Sequence, residues 1–135
     1  MSRDVYEYAA IRVVPRVERG ELINAGVLLY CQPRGYLCAR VELDASRLRA
    51  LDPAADVERV GEALTAYELA CGDDAGPLSA ESLGGRFRWL TAPRSTIVQT
   101  GPVHAGLTAD PEAELERLFD RLVRVSAGDE RPRLT

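Results

Sequence analysis

Residues 5–14 and 22–31 are short, mostly apolar runs and residues 36–43 alternate between apolar and polar, and further on the apolar positions recur every three or four residues. The short runs and the alternation predict strands, and the later recurrence predicts helices. Residues 5–14 are rich in β-branched and aromatic side chains and stop at Pro15, which predicts a first strand. A charged connection, Arg16-Val17-Glu18-Arg19-Gly20-Glu21, leads into a second apolar run over residues 22–31. Gln32-Pro33-Arg34-Gly35 supplies turn chemistry, and residues 36–43 alternate clearly enough for a third strand.

Register is argued from the faces. A two-residue loop of Pro33 and Arg34 sets Cys31 against Tyr36 and joins Ile23, Ala25, Val27, Leu29 and Cys31 to Tyr36, Cys38, Arg40 and Glu42. A three-residue loop with Gly35 left-handed sets Cys31 against Leu37, and joins the same apolar set to Leu37, Ala39, Val41 and Leu43. A slip of one residue turns every side chain to the other face, so the second register is expected. It leaves a mixed face of Asn24, Gly26, Leu28 and Tyr30 beside Tyr36, Cys38, Arg40 and Glu42, with Arg40 opposite Leu28 and Glu42 opposite Gly26. Antiparallel sheets commonly wet one side. This face reads either as solvated, with an Arg–Glu surface pair, or as a polar floor beneath a ligand or partner.

Helices follow. Asp44 can cap a short helix through Leu48 and Leu51 that ends at Pro53. A longer one starts after Asp56, with Val57, Val60, Leu64, Tyr67 and Cys71 on one stripe and Gly72 placed to stop it. Residues 82–90 align Leu83, Phe87 and Leu90, although Gly84-Gly85 weakens a helix there. Residues 96–100 and 103–107 read as short extended pieces. The last helix has Asp110 as cap, Pro111 in its first turn, and Leu115, Leu118, Phe119 and Leu122 in register. The expected fold is therefore α+β: one domain over residues 1–135, ordered from about 5 to about 125. An antiparallel sheet from the N-terminal half, with short strands near 96–107, packs against two or three helices.

Composition narrows the chemistry. With 135 residues, 46% of them hydrophobic, the chain can bury a core without metals or disulfides. Cys31, Cys38 and Cys71 show no C-x-x-C spacing, the start MSRDVYEYAA lacks the apolar stretch of a signal peptide, and no run is long enough to span a membrane. A cytoplasmic protein with reduced thiols and no membrane association is expected. All 17 basic residues are Arg, so Schiff-base and Walker-type lysine chemistry is excluded. One histidine, His104, rules out a multi-histidine zinc site, and no cofactor or metal is expected. The net charge of −4 argues against bulk nucleic-acid binding, without forbidding a local arginine patch.

The densest polar stretch runs from Trp89 to Gly106 and holds Arg94-Ser95-Thr96, the only Trp and the only His. Arg94 with two neighbouring hydroxyls matches a phosphate or carboxylate, and His104 can add a donor or an acid–base group. The same residues also suit a structural loop whose side chains bond backbone groups. A Ser95–His104–Asp110 triad lacks the G-x-S-x-G elbow, and the cysteines fit apolar or strand positions, where thiols are usually inert. Glu18 and Glu21 flank Arg19-Gly20 and read as a salt-bridged turn with Arg16 and Arg19 more readily than as a cation site.

Two blocks carry a resemblance. Tyr6-Glu7-Tyr8-Ala9, Arg12-Val13-Val14-Pro15-Arg16-Val17-Glu18-Arg19-Gly20-Glu21 and Asn24-Ala25-Gly26-Val27 form the first. Phe87-Arg88-Trp89-Leu90-Thr91-Ala92-Pro93-Arg94-Ser95-Thr96, Pro102-Val103-His104-Ala105-Gly106-Leu107 and the Asp110-Pro111 helix form the second. Together they resemble the bacterial domain-of-unknown-function family 3037 over nearly the whole chain. The resemblance implies no activity and no catalytic residues. It does imply genes beside those of HipA-like serine/threonine kinases, and hence a kinase-like protein as partner.

Two functions are expected to compete. A non-enzymatic accessory protein would recognise its partner through Arg94, Ser95, Thr96 and His104, with the Asn24/Arg40 face, and needs an exposed apolar patch or an open sheet edge. A small-ligand or phosphate-binding domain, or a hydrolase, needs Arg94, Ser95 and His104 to converge on one pocket, with Arg12 or Asn24 as a further wall. An arginine-rich nucleic-acid binder, with Arg12, Arg16, Arg19, Arg34 and Arg40 on one surface, ranks last.

Overall fold

Strand β1 (Asp4–Val13) sits inside the sheet of a computed structural model that describes residues 2–124. It runs antiparallel to β2 (Ile23–Cys31), which runs antiparallel to β3 (Tyr36–Val41). On its other side β1 meets two short strands that share one edge, β4 (Val98–Thr100) and β5 (His104–Thr108). The sheet order is β3-β2-β1, followed by this divided edge. Local chemistry accounts for the turns. Gly20 and Gly35 close the two hairpin connections in the left-handed conformation, where a Cβ would be strained.

Four helices cover the sheet: α1 (Ala45–Leu51), α2 (Val57–Ala70), α3 (Leu83–Leu90) and α4 (Pro111–Leu122). Each starts on a side chain that accepts a backbone N–H of its first turn, namely Asp44, Asp56, Ser82 and Asp110. The first three helices supply Leu48, Val60, Leu64, Tyr67, Phe87 and Leu90 to a core against Ile11, Val13, Ile23, Ala25, Leu28, Leu37 and Ala39. Helix α4 sets Leu115, Leu118 and Phe119 on the opposite face, against Tyr6, Val27, Leu29 and Cys31. The α+β class stands, but the sheet is the middle of three layers. Its strand β2 is accordingly buried on both sides.

That arrangement corrects the sequence-based register. Cys31 pairs with Tyr36, Val27 with Arg40 and Gly26 with Val41, so Arg40 does not face Leu28 and Glu42 does not face Gly26. The loop is longer than expected: Gln32 joins Pro33 and Arg34 in a 3-10 turn before Gly35, and four residues intervene between the paired positions. Gly35 is left-handed as anticipated. The face argument misled because it assumed one greasy and one wet side. With α4 on the second face, Tyr36 and Cys38 pack under that helix, and neither register exposes apolar surface.

The apolar set on β2 is also split between faces. Ile11 pairs with Gly26 and Arg12 with Asn24, which leaves Ala25 as the extra residue of a bulge. Ile23 and Ala25 belong to the core under α1–α3, whereas Val27, Leu29 and Cys31 belong to the one under α4. At Gly26 a Cβ would lie 2.7 Å from the Arg40 carbonyl oxygen and 2.8 Å from Val41 Cγ1, so the bulge closes only over glycine. The Gly84-Gly85 pair does not prevent α3: Ser82 caps it, and the Tyr30 ring, stacked on Phe87 at 5.4 Å, packs against Gly84.

Candidate functional site

Pro102 interrupts the edge strand. Tyr8 pairs with His104 and Ile11 with Thr100, so Gly101, Pro102 and Val103 lie across from only Ala9 and Ala10. The Gly101 N–H still donates to the Ala10 carbonyl at 2.8 Å, which holds the bulge on the sheet. Arg12 lies over this break. A Cβ on residue 101 would overlap Arg12 Nη2, so the guanidinium rests against the glycine backbone. Its Nε is buried and has no hydrogen-bond partner among the described residues.

Two clefts open at the break. The larger, about 300 Å³, is lined by Arg12, Thr91, Pro93, Arg94 and Gln99 through Val103. The smaller, about 110 Å³, is lined by Tyr8, Ala10, Arg12, Gly101, Pro102, His104 and Leu122. Arg94 lines the first cleft and also the groove between α2 and α3, His104 lines the second, and Arg12, Gly101 and Pro102 form the wall the two clefts share. Arg94 is tethered: it donates to the Trp89 and Ala92 carbonyls and stacks on the Trp89 ring at 4.6 Å. Ser95 is exposed and lines neither cleft. The Thr96 hydroxyl donates to the Val98 carbonyl, and His104 stacks on Tyr8 at 5.3 Å.

The other nominated polar residues lie elsewhere. Asn24 donates from Nδ2 to the Leu122 carbonyl, satisfying one of the last carbonyls of α4. Arg40 lies 4.5 Å over the Phe119 ring and pairs with Glu116, and Glu42 pairs with Arg124. The Asn24/Arg40 face is therefore covered in part by α4, with Glu42 left exposed at its margin. It is the seat of α4. Arg16–Glu18 and Arg19–Glu21 form exposed ion pairs, as the charged turn suggested. Arg12 faces α4's side of β1, while Arg34 pairs with Asp4 at the end of the sheet.

Burial, which disfavours a thiolate, reaches two of the thiols. Cys31 is buried, and burial pushes the Cys71 thiol up to about 12. No group of three or more His, Cys, Asp or Glu among the described residues could hold a metal. No helix among them is long and apolar enough to cross a membrane.

Two features lay beyond sequence reasoning. Arg86 donates to the carbonyls of Ala70, Gly72, Ser79 and Glu81, tying the end of α2 to the turn before α3. No spacing rule marks it, since its acceptors are backbone. The second is the outer side of β5, which has no strand beside it among the described residues. Val5 and Leu107 face each other across β1 and β5 and are 56% and 54% exposed. His104-Ala105-Gly106-Leu107-Thr108 carries no Lys, Arg, Asp or Glu to guard the edge. Trp89 and Leu69 add exposed apolar surface along a groove between α2 and α3.

This geometry defines a class: a five-stranded antiparallel sheet between two helical layers, with an open, uncharged edge and a break in that edge crossed by an arginine. The chain belongs to the family described as protein of unknown function (DUF3037), which it matches over residues 8–123. No curated protein and no solved structure matches it.

Proposed function

We propose that the protein is a non-enzymatic interaction module whose β5 edge accepts an extended segment of a kinase-like partner. The observation that carries this reading is the side of β5 that has no strand beside it among the described residues, with the exposed Val5–Leu107 pair next to it. An extended peptide added to such an edge gains main-chain hydrogen bonds, and apolar side chains at alternate positions provide its specificity. The family resemblance supports the choice of partner, since it implies neighbouring HipA-like serine/threonine kinases. The polar residues first nominated for chemistry support the reading as well. Asn24 and Arg40 are engaged in holding α4.

The hydrolase alternative, with Arg94 and His104 acting on one small ligand, has weaker support because the two side chains line separate clefts. The test is calorimetric titration of the full chain with a purified HipA-like serine/threonine kinase from the same genome. Wild-type protein is expected to bind, and Leu107→Arg to bind at least tenfold more weakly with an unchanged melting temperature, because Leu107 is exposed. Absence of binding, or equal binding by Leu107→Arg, overturns the proposal.

A further inference from the structure

We infer that the cleft at the broken edge strand is a binding site for a phosphate group, free or as a small monoester, held between Arg12 and Arg94. The inference does not rest on the partner reading: it uses the break before β5, not the outer side of β5.

Arg12 and Arg94 come from separate elements, strand β1 and the loop after α3, and line one cleft of about 300 Å³. An arginine stays charged at any physiological pH, and its guanidinium needs acceptors. Elsewhere the chain provides them: Arg34 has Asp4, Arg40 has Glu116 and Arg88 has Glu7. Among the described residues neither Arg12 nor Arg94 has a carboxylate, and no acidic side chain lines their cleft. Arg12 Nε is buried without a partner among the described residues, so an anion in the cleft would meet the guanidinium through its Nη groups. An oxyanion in the cleft would set negative charge between two cations that have no carboxylate, while Arg94 keeps its bonds to the Trp89 and Ala92 carbonyls.

The geometry favours phosphate over a carboxylate. One planar guanidinium is enough to pair a planar carboxylate, whereas a tetrahedral dianion is better held by donors from more than one direction. Arg12 and Arg94 approach from two elements, and Gln99 and Thr100 line the same space. The site is also preorganised. Gly101 leaves room for the Arg12 guanidinium to lie against the edge backbone, and stacking on Trp89 with bonds to two carbonyls fixes Arg94. Preorganised donors lose little freedom on binding. The volume fits a phosphate carrying a few further heavy atoms, which limits the class to small phosphomonoesters or the free ion.

The experiment is calorimetry on the full chain at low ionic strength with inorganic phosphate, glycerol phosphate and acetate as separate titrants. Wild-type protein is expected to bind phosphate saturably at millimolar concentration or better, and acetate at least tenfold more weakly. Tighter binding of glycerol phosphate identifies an organic monoester as the ligand, and equal binding identifies the free ion. Arg12→Met, which keeps the stem and removes the fork, is expected to lose at least tenfold in affinity without lowering the melting temperature. Gly101→Ala, which keeps both charges and displaces Arg12, is expected to weaken phosphate in the same direction. No saturable phosphate binding by wild-type protein, acetate binding as tight as phosphate, or an Arg12→Met protein that binds like wild type overturns the inference.

Discussion

The Tyr6 hydroxyl donates a 2.6 Å hydrogen bond to Glu114, joining the first strand to the last helix across 108 positions of sequence. Arg117 pairs with the same carboxylate one turn along α4. Burial, followed by the neighbouring Glu114, pushes the Tyr6 phenol up from 10.0 to about 12, and Arg117 is the main cause holding the Glu114 carboxyl below its usual value.

The raised phenol makes a pH prediction. A group whose folded pKa lies above its unfolded value contributes fully below the unfolded value and loses that contribution as pH rises through the folded one. Wild-type protein is therefore expected to lose stability between pH 10 and about 12 relative to Tyr6→Phe. Near neutral pH, Tyr6→Phe is expected to be less stable by about 1 kcal/mol, the usual worth of one hydrogen bond, and the gap should close through the alkaline range. Urea denaturation at a series of pH values reads both effects.

Gly26→Ala tests the bulge in β2. The added methyl meets the Arg40 carbonyl, which is backbone, as well as Val41 Cγ1, so relief requires the strands to move apart. Overpacking of this kind costs about 1–3 kcal/mol, and the urea midpoint should fall accordingly.

Asn24→Ala removes the tether between β2 and the end of α4, leaving the Leu122 carbonyl without that donor. A loss of about 1 kcal/mol is expected, with faster hydrogen exchange confined to the last turn of α4. A change spread evenly over the chain would contradict the tether.

Two arginines give a contrast in magnitude. Arg86→Ala leaves four carbonyls without their shared donor and should destabilise by about 2 kcal/mol. Arg16→Ala breaks only an exposed pair with Glu18 and should change stability by less than about 0.5 kcal/mol. Thermal melts of the two variants side by side check the ranking.

The candidate site was legible only in part. The polar segment around Arg94 and His104 was marked by its turn residues and rare side chains, and it does border two clefts. What joins those clefts is Arg12, one of two residues the sequence offered as a further wall, brought there from more than eighty positions earlier because Ile11 pairs with Thr100 and Arg12 with Gln99 across the edge. Ser95 looked equally eligible by composition, yet it lines neither cleft and is exposed. Side-chain type advertises chemistry, while convergence depends on strand pairing that no local pattern encodes.

The sequence by itself determined the parts whose physics is short-range. Asp44, Asp56, Ser82 and Asp110 start their helices because a side-chain oxygen reaches an N–H three residues on, and Gly35 turns left-handed because it has no Cβ. Tertiary structure alone decided that both faces of the sheet are covered, that Cys31 pairs with Tyr36, and that Asn24 and Arg40 serve α4. Burial is a property of the element that arrives from elsewhere in the chain. Until α4 folds over β2 and β3, nothing within reach of those strands distinguishes a wet face from a dry one.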